Sequence, residues 1–207
     1  NGKIDLRKNI GGIDDRSGIY YNYVETYGGG QGAMHDSDGM DAVQNHMTNT
    51  RNAPVESIEV AYPLLVEGYG LVPDSEGAGK FRGGMGLQRK VRVLGQGVSL
   101  TLSSDRSKIT PWGLFGGESS SPSSCIIEDD TAENRYLPTK VTTQVENQKI
   151  ISTVTPGGGG WGNPKERNPE SVLRDVIIGL VSIERAKSVY GVDIDANTMT
   201  IISEPND

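Results

Sequence analysis

Apolar and polar positions alternate with a period of two along several short runs of this chain, the pattern of strands with one buried face. "GIYYNYVETY" (18–27) is one such run, aromatic and β-branched. "VESIEVAYPLLVEGYGLV" alternates from Val55 and predicts a strand with an edge or bulge at Pro63. Leu87–Leu94 and Val98–Ser103, separated by "GQG", predict a hairpin. "TKVTTQVENQKIISTVTP" supplies two further short strands, and "VDIDANTMTIISEPND" a terminal strand with a frayed end. "DAVQNHMTNT" reads as a short helix or an irregular segment.

Helical spacing appears in "NPESVLRDVIIGLVSIERAKSVYG". Val172, Val176, Ile177, Leu180, Ile183 and Ala186 form an apolar stripe suited to core packing. Asn168 is placed as N-cap and Pro169 at the first helical position. Glu170 and Asp175 lie toward the positive end of the dipole, and Gly191 closes the helix after Arg185 and Lys187. The class expected is α+β: predominantly β-strands with glycine-rich loops and one clear C-terminal helix. The organisation expected is a single unit over 1–207, with 1–17 and 196–207 peripheral.

Composition changes the picture in two ways. The 28 glycines are clustered rather than periodic, which excludes collagen, and hydrophobic residues make up only 34%. So thin a core predicts that the chain leans on a larger partner. The formal net charge is -7, with no basic stripe, which argues against nucleic acid. The single cysteine, Cys125, excludes an internal disulfide and suits a reducing, cytoplasmic setting, where it reads as an inert small thiol. No apolar run approaches the roughly 20 residues that span a bilayer, so no membrane partner is expected. The N-terminus shows neither an initiator Met nor an apolar signal core, which reads as a processed or expressed piece of a longer chain.

The chemically able residues crowd into Val24–Asn52. "DSEGAGKF" lacks both the first glycine and the final Ser/Thr of a phosphate-binding loop. "GGGQGAM" lacks the last glycine of a dinucleotide fingerprint, and "GGGGWGNP" has no Lys directly after its last glycine. "DSDGMD" places its glycine too early for a calcium loop. His35 and His46 follow no zinc spacing. Consecutive glycines allow close backbone approach to a ligand or to a neighbouring chain; a tight bulged turn is the plainer account. Arg51 has the planar fork of an anion reader, or else makes a structural ion pair with Glu56 or Glu25.

The successive motifs "YVETYGGGQGA", "DGMDAVQNHMTNTRNAPVE", "YPLLVEGYGLVPDSEGAGKFRGGMGLQRKVRV", "TPGGGGWGNPKERNPESVLRDVIIGLVS" and "YGVDI" resemble, in this order, the C-terminal portion of the B-type subunit of the hydantoinase B / 5-oxoprolinase family. Gln44, Ala53 and Glu76 stand where that family commonly has His, Thr and Gly.

The resemblance implies an ATP-dependent hydrolase of cyclic amides. A partner A-type subunit would bind ATP and Mg and phosphorylate the carbonyl oxygen. The remaining N-terminal part of the B-type subunit would carry a divalent metal such as Zn, Mn or Fe. On that footing Glu25, Asp41 and His46 are the acid/base candidates. Gly28, Gly29 and Gly30 would face a developing oxyanion, and Asn49 and Arg51 would hold substrate polar groups. Two alternatives stand beside it: a subunit of an ATP-dependent acetone- or acetophenone-type carboxylase, and a non-catalytic scaffold of such a complex.

Overall fold

The computed structural model describes residues 6–44, 48–129 and 133–203. Two antiparallel sheets face each other. The first has the order β2 (Ile19–Tyr27), β1 (Leu6–Asp14), β5 (Val98–Ser104), β8 (Lys140–Val145). The second has the order β3 (Leu64–Leu71), β4 (Leu87–Val93), β9 (Ile150–Val154), β6 (Ser124–Glu128), β7 (Arg135–Tyr136). Leu6, Ile10, Tyr23, Leu100 and Leu102 of one sheet meet Leu87, Val91, Val93, Ile127 and Ile151 of the other in a single core. The fold is a sandwich with appended helices, in the α+β class.

Four expectations need correction. Leu6–Asp14 is not peripheral: β1 is an interior strand paired on both sides, because its alternation buries Leu6, Lys8 and Ile10. Val55–Ala61 is a helix, α1, rather than the start of a strand. Pro54 stands at its N-cap position without a side-chain cap, and helical spacing places Ile58 in the core and Tyr62 against the rings of Tyr21 and Tyr23. β3 is an edge strand beginning just after Pro63, as the proline suggested, but its bulge falls between Val66 and Gly68, not at Pro63. β4 and β5 are strands, but they do not pair. The turn at Gly95–Gly97, with Gly97 at φ 62°, carries the chain from the second sheet to the first. β8 and β9 are likewise in different sheets.

The helical region also departs from the single helix expected. Asn168 does cap it, its side chain accepting from the N–H groups of Glu170 and Ser171. But α2 (Pro169–Ile177) stops before Gly179, which sits at φ 77° while the N–H groups of Leu180 and Val181 close back on Asp175 O. Ser182 then caps a second segment, α3 (Ile183–Arg185), which runs on as a π turn to Tyr190 and ends at Gly191 in the left-handed region. Val172, Val176, Leu180, Ala186 and Tyr190 pack with Ala78 and Met85 into a second core. The tail forms a two-stranded hairpin, β10 (Asp193–Asp195) with β11 (Thr200–Ser203).

Between the sandwich and these helices lies a body made almost wholly of glycine-rich loops. Gly30 N–H donates to Pro156 O at 3.0 Å, Gly84 N–H to Gln31 O at 2.8 Å, Gly158 N–H to Gly84 O at 2.8 Å and Gly77 N–H to Gly158 O at 2.7 Å. Runs distant in sequence therefore lie side by side, joined through their backbones. A Cβ on Gly30 or Gly158 would fall 1.9 Å from a carbonyl oxygen of the neighbouring run. The clusters are what lets these segments touch.

Candidate functional site

The core-facing positions of β2 read Tyr21, Tyr23, Glu25, Tyr27, so one carboxylate is built into a buried strand face. An ionised carboxylate there needs compensation. It comes from β4: Arg89 Nη1 lies 3.1 Å from Glu25 Oε1, and both side chains are almost fully buried. Asn52 Nδ2 donates to the same oxygen at 2.9 Å and to Thr26 O at 3.0 Å. Tyr69 OH donates to Asn52 Oδ1 at 3.2 Å, and the Arg89 guanidinium lies 4.6 Å from the Tyr69 ring centroid. Tyr69 is half exposed, so this chain of contacts links solvent to the buried carboxylate.

Behind Glu25 the environment is polar but incompletely paired. Lys8, its register partner on β1, is fully buried, with Nζ 5.0 Å from the Tyr27 ring centroid. Lys8 Nζ, Tyr23 OH, Tyr27 OH, Glu25 Oε2 and Arg89 Nε have no hydrogen-bond partner among the described residues. Burial lowers the Lys8 pKa to about 8, against the opposing attraction of Glu25. Burial and the nearby Glu25 carboxylate raise the Tyr23 and Tyr27 phenols well above their ordinary range. Cys125 is buried, and burial raises its thiol, which suits the inert role expected of it. One oxygen of the Glu25 carboxylate is thus fixed by Arg89 and Asn52, and the phenols of Tyr23 and Tyr27 lie close to the carboxylate.

Asp41 belongs to a different network. Its Oδ1 accepts from Arg82 Nη1 at 3.0 Å and from Met85 N at 2.7 Å. Arg82 also contacts Asp175 at 3.1 Å, and Arg167 joins Asp175 to Asp38, with Nη1–Oδ1 2.7 Å and Nη2–Oδ2 2.8 Å to the latter. Burial alone would raise the Asp38 pKa; the hydrogen bonds and charge of Arg167 overcome it and hold the carboxyl below its usual range. Ser37, Asp38, Lys80, Phe81, Arg167 and Asn168 line an open cleft of about 440 Å³ at the start of α2.

Of the remaining sequence candidates, Gly30 has its N–H taken up by Pro156 O, and Gly29 O accepts from Val43 N at 2.9 Å. A Cβ on Gly28 would lie 2.6 Å from the Val43 backbone. Asn49, at φ 36°, and Arg51 are exposed on the segment leading to Asn52. Glu25, the ion-pair partner considered for Arg51, is held by Arg89 instead. His46 lies outside the described residues, and His35 is exposed beside Asp36. Sequence reasoning missed Lys8, Asn52, Tyr69, Arg89 and the Arg82–Arg167 network. The available signal was a charged residue at an inward position of an alternating run, as at Arg89 in "LQRKVRV". Among the described residues, no group of three or more His, Cys, Asp or Glu side chains could hold a metal ion.

The model of the hydantoinase B/oxoprolinase family matches residues 6–164, which include both networks except for Arg167 and Asp175. The chain belongs to that family. It is 41% identical over 177 residues to the putative B-type subunit of a D-/L-hydantoinase from Pseudomonas sp. (strain NS671), covering 84% of this chain and 30% of that protein. The ATP-dependent caprolactamase structure from Pseudomonas jessenii superposes with a TM-score of 0.74 at 28% identity, over 94% of this chain and 34% of that one. A nucleotide-free acetone carboxylase structure superposes with a TM-score of 0.81 at 19% identity, over 96% and 31%, which is a likeness of fold. The chain thus spans about a third of the length of these three proteins. Among the described residues, no helix is long and apolar enough to cross a membrane.

Proposed function

We propose that this chain is part of the B-type subunit of an ATP-dependent cyclic-amide hydrolase of the hydantoinase, 5-oxoprolinase or lactamase type, working in the cytoplasm with an ATP- and Mg-binding A-type partner. The observation that carries the reading is the 41% identity to a B-type hydantoinase subunit along most of this chain. An unactivated lactam is protected by amide resonance. Phosphorylation of its oxygen in the partner removes that resonance and makes the carbon electrophilic. Water adds there, the C–N bond breaks with the protonated amine leaving to open the ring, and a second water releases phosphate from the acyl phosphate that remains.

Glu25 is the general base in this proposal, its Oε2, beside the Tyr23 and Tyr27 hydroxyls, taking the proton of the attacking water while Arg89 and Asn52 fix Oε1. Asn49 and Arg51, exposed beside Asn52, contact polar groups of the substrate. Asp41 anchors the glycine-rich body through Arg82 and Met85. The described residues contain no cluster for a divalent ion, so this proposal places any such ion elsewhere in the B-type subunit, and the roles given to Glu25 and Arg89 do not depend on it.

The test is ADP release by the complete complex with hydantoin, 5-oxoproline or caprolactam, against bicarbonate with acetone or acetophenone. ADP formation in step with an opened amide is expected. Bicarbonate-dependent turnover of a ketone alone would establish the carboxylase alternative, and undiminished turnover by a complex lacking this chain would reduce it to a scaffold.

A further inference from the structure

Four strands edge the two sheets: β2 and β8 in the first, β3 and β7 in the second. An edge strand presents outward N–H and C=O groups that invite a further strand, and folds blunt such edges. Three of the four are blunted here. β3 is bulged between Val66 and Gly68, and its Val66 N–H donates to Glu59 Oε1 at 2.9 Å. β7 has only two residues, and Pro138 follows shortly after. On β8, the Gln144 carbonyl accepts from Arg135 Nη2 at 3.1 Å.

β2 is the exception. It pairs with β1 in unbroken register from Leu6–Tyr27 to Asp14–Ile19, and its sequence "IYYNYVETY" contains no Lys, Arg or Pro. Its outward groups are identified by Thr26, whose carbonyl accepts from Gln44 Nε2 at 3.2 Å and Asn52 Nδ2 at 3.0 Å. The N–H and C=O of one strand residue point the same way, and the direction alternates along the strand. Tyr20, Asn22 and Val24 therefore turn their backbone groups outward as Thr26 does, but without its side-chain cover among the described residues. Around them lies an exposed apolar rim: Tyr20 is 68% exposed, its register partner Ile13 55%, and Ile19 67%.

We propose that the Tyr20–Val24 edge is where a strand from the part of a B-type subunit outside these 207 residues joins the first sheet. The proposal rests on reading the chain as one part of such a subunit. Covering 30% of the hydantoinase relative and 34% of the caprolactamase chain leaves ample polypeptide for it. A strand from the same polypeptide is favoured over a second copy: loop closure grows only slowly with length, whereas association of two molecules loses translational and rotational freedom.

Backbone hydrogen exchange on the complete B-type subunit tests this. The amides of Tyr20, Asn22 and Val24 are expected to exchange roughly a hundredfold slower than unpaired amides. Asn22→Pro removes an N–H that the sandwich itself does not use, a substitution tolerated at an outward edge position. It should release Tyr20 and Val24 at least tenfold while Tyr21 and Tyr23, which face β1, stay protected. Fast exchange at Tyr20, Asn22 and Val24 in the unsubstituted subunit would overturn the proposal. So would protection that rises with subunit concentration, marking a second copy, or that appears only with the A-type partner. The readout does not depend on turnover, so an inactive or carboxylating complex that shows this protection would remove the hydrolase reading and leave the strand in place.

Discussion

Lys8 and Glu25 stand directly opposite one another in the β1–β2 register, inside the sandwich, yet Lys8 Nζ and Glu25 Oε2 are both without a hydrogen-bond partner among the described residues. Glu25 is compensated by Arg89, which leaves Lys8 as the surplus cation of a buried site. Desolvation then outweighs attraction, and the ammonium holds its proton less tightly than in water.

Lys8 should therefore make stability depend on pH in an uncommon direction. Its pKa falls from 10.5 to about 8 on folding, so between those values the unfolded chain binds more protons than the folded one. Stability should rise with pH across that window, and be lowest with respect to this group below pH 8. A shift of that size is worth about 3 kcal/mol. Lys8→Met should stabilise the protein at neutral pH, with the gain shrinking toward pH 10.5. Urea unfolding of both proteins across this range measures it; a pH-independent difference would assign the effect to packing.

Local pattern made much of the fold legible. The inward positions of β2, β4 and β5 follow the alternation of their sequences, and Asn168 and Gly191 cap where their chemistry says they should. Pairing was not legible, because a strand that turns back in a hairpin and one that crosses to a facing sheet carry the same alternation. "GQG" serves either geometry. β1 was missed because Lys8, Asn9, Gly11 and Gly12 dilute its apolar pattern, and Lys8 occupies a core position. Glu25 could be picked out as chemically able, but its cation lies 64 residues away on another strand, a relation that no local window contains.

The glycines divide into two kinds, and a pair of alanine substitutions should separate them. A Cβ at Gly158 would stand 1.9 Å from Gln31 O, and backbone on both sides prevents relief. Gly158→Ala should cost about 3 kcal/mol or more, or abolish folding. Gly70, in β3, has nothing within 4 Å of the same atom. Gly70→Ala should be neutral or stabilising by up to about 1 kcal/mol. Thermal midpoints report both, and equal effects would contradict the interlocked backbone.

Arg167 grips Asp38 with two parallel hydrogen bonds and reaches Asp175 with the same guanidinium. Lysine keeps the charge and loses the fork, so Arg167→Lys should cost roughly 1.5–3 kcal/mol. The depressed Asp38 pKa means that this contribution is present above the carboxylate's unfolded pKa and is lost as acid takes the pH down through the folded one. Acid unfolding curves should therefore converge for the two proteins at low pH and differ at neutrality. A constant offset at every pH would place the stabilisation elsewhere.

The role of Glu25 needs a test that separates chemistry from charge burial. Glu25→Gln removes the proposed base but also strands the Arg89 cation, which is almost fully buried. Breaking one side of a buried pair costs about 3–5 kcal/mol, so lost activity in that variant would be ambiguous. Adding Arg89→Met on a Lys8→Met background removes both buried cations that Glu25 faces, and this variant should regain much of the stability, because replacing all partners of a buried charge cluster is often nearly neutral. Turnover by the complete complex should stay lost, since no carboxylate remains to take a proton from water. Recovery of activity along with the thermal midpoint would make the Glu25–Arg89 pair architectural, and the general base would then have to be sought elsewhere in the assembled subunit.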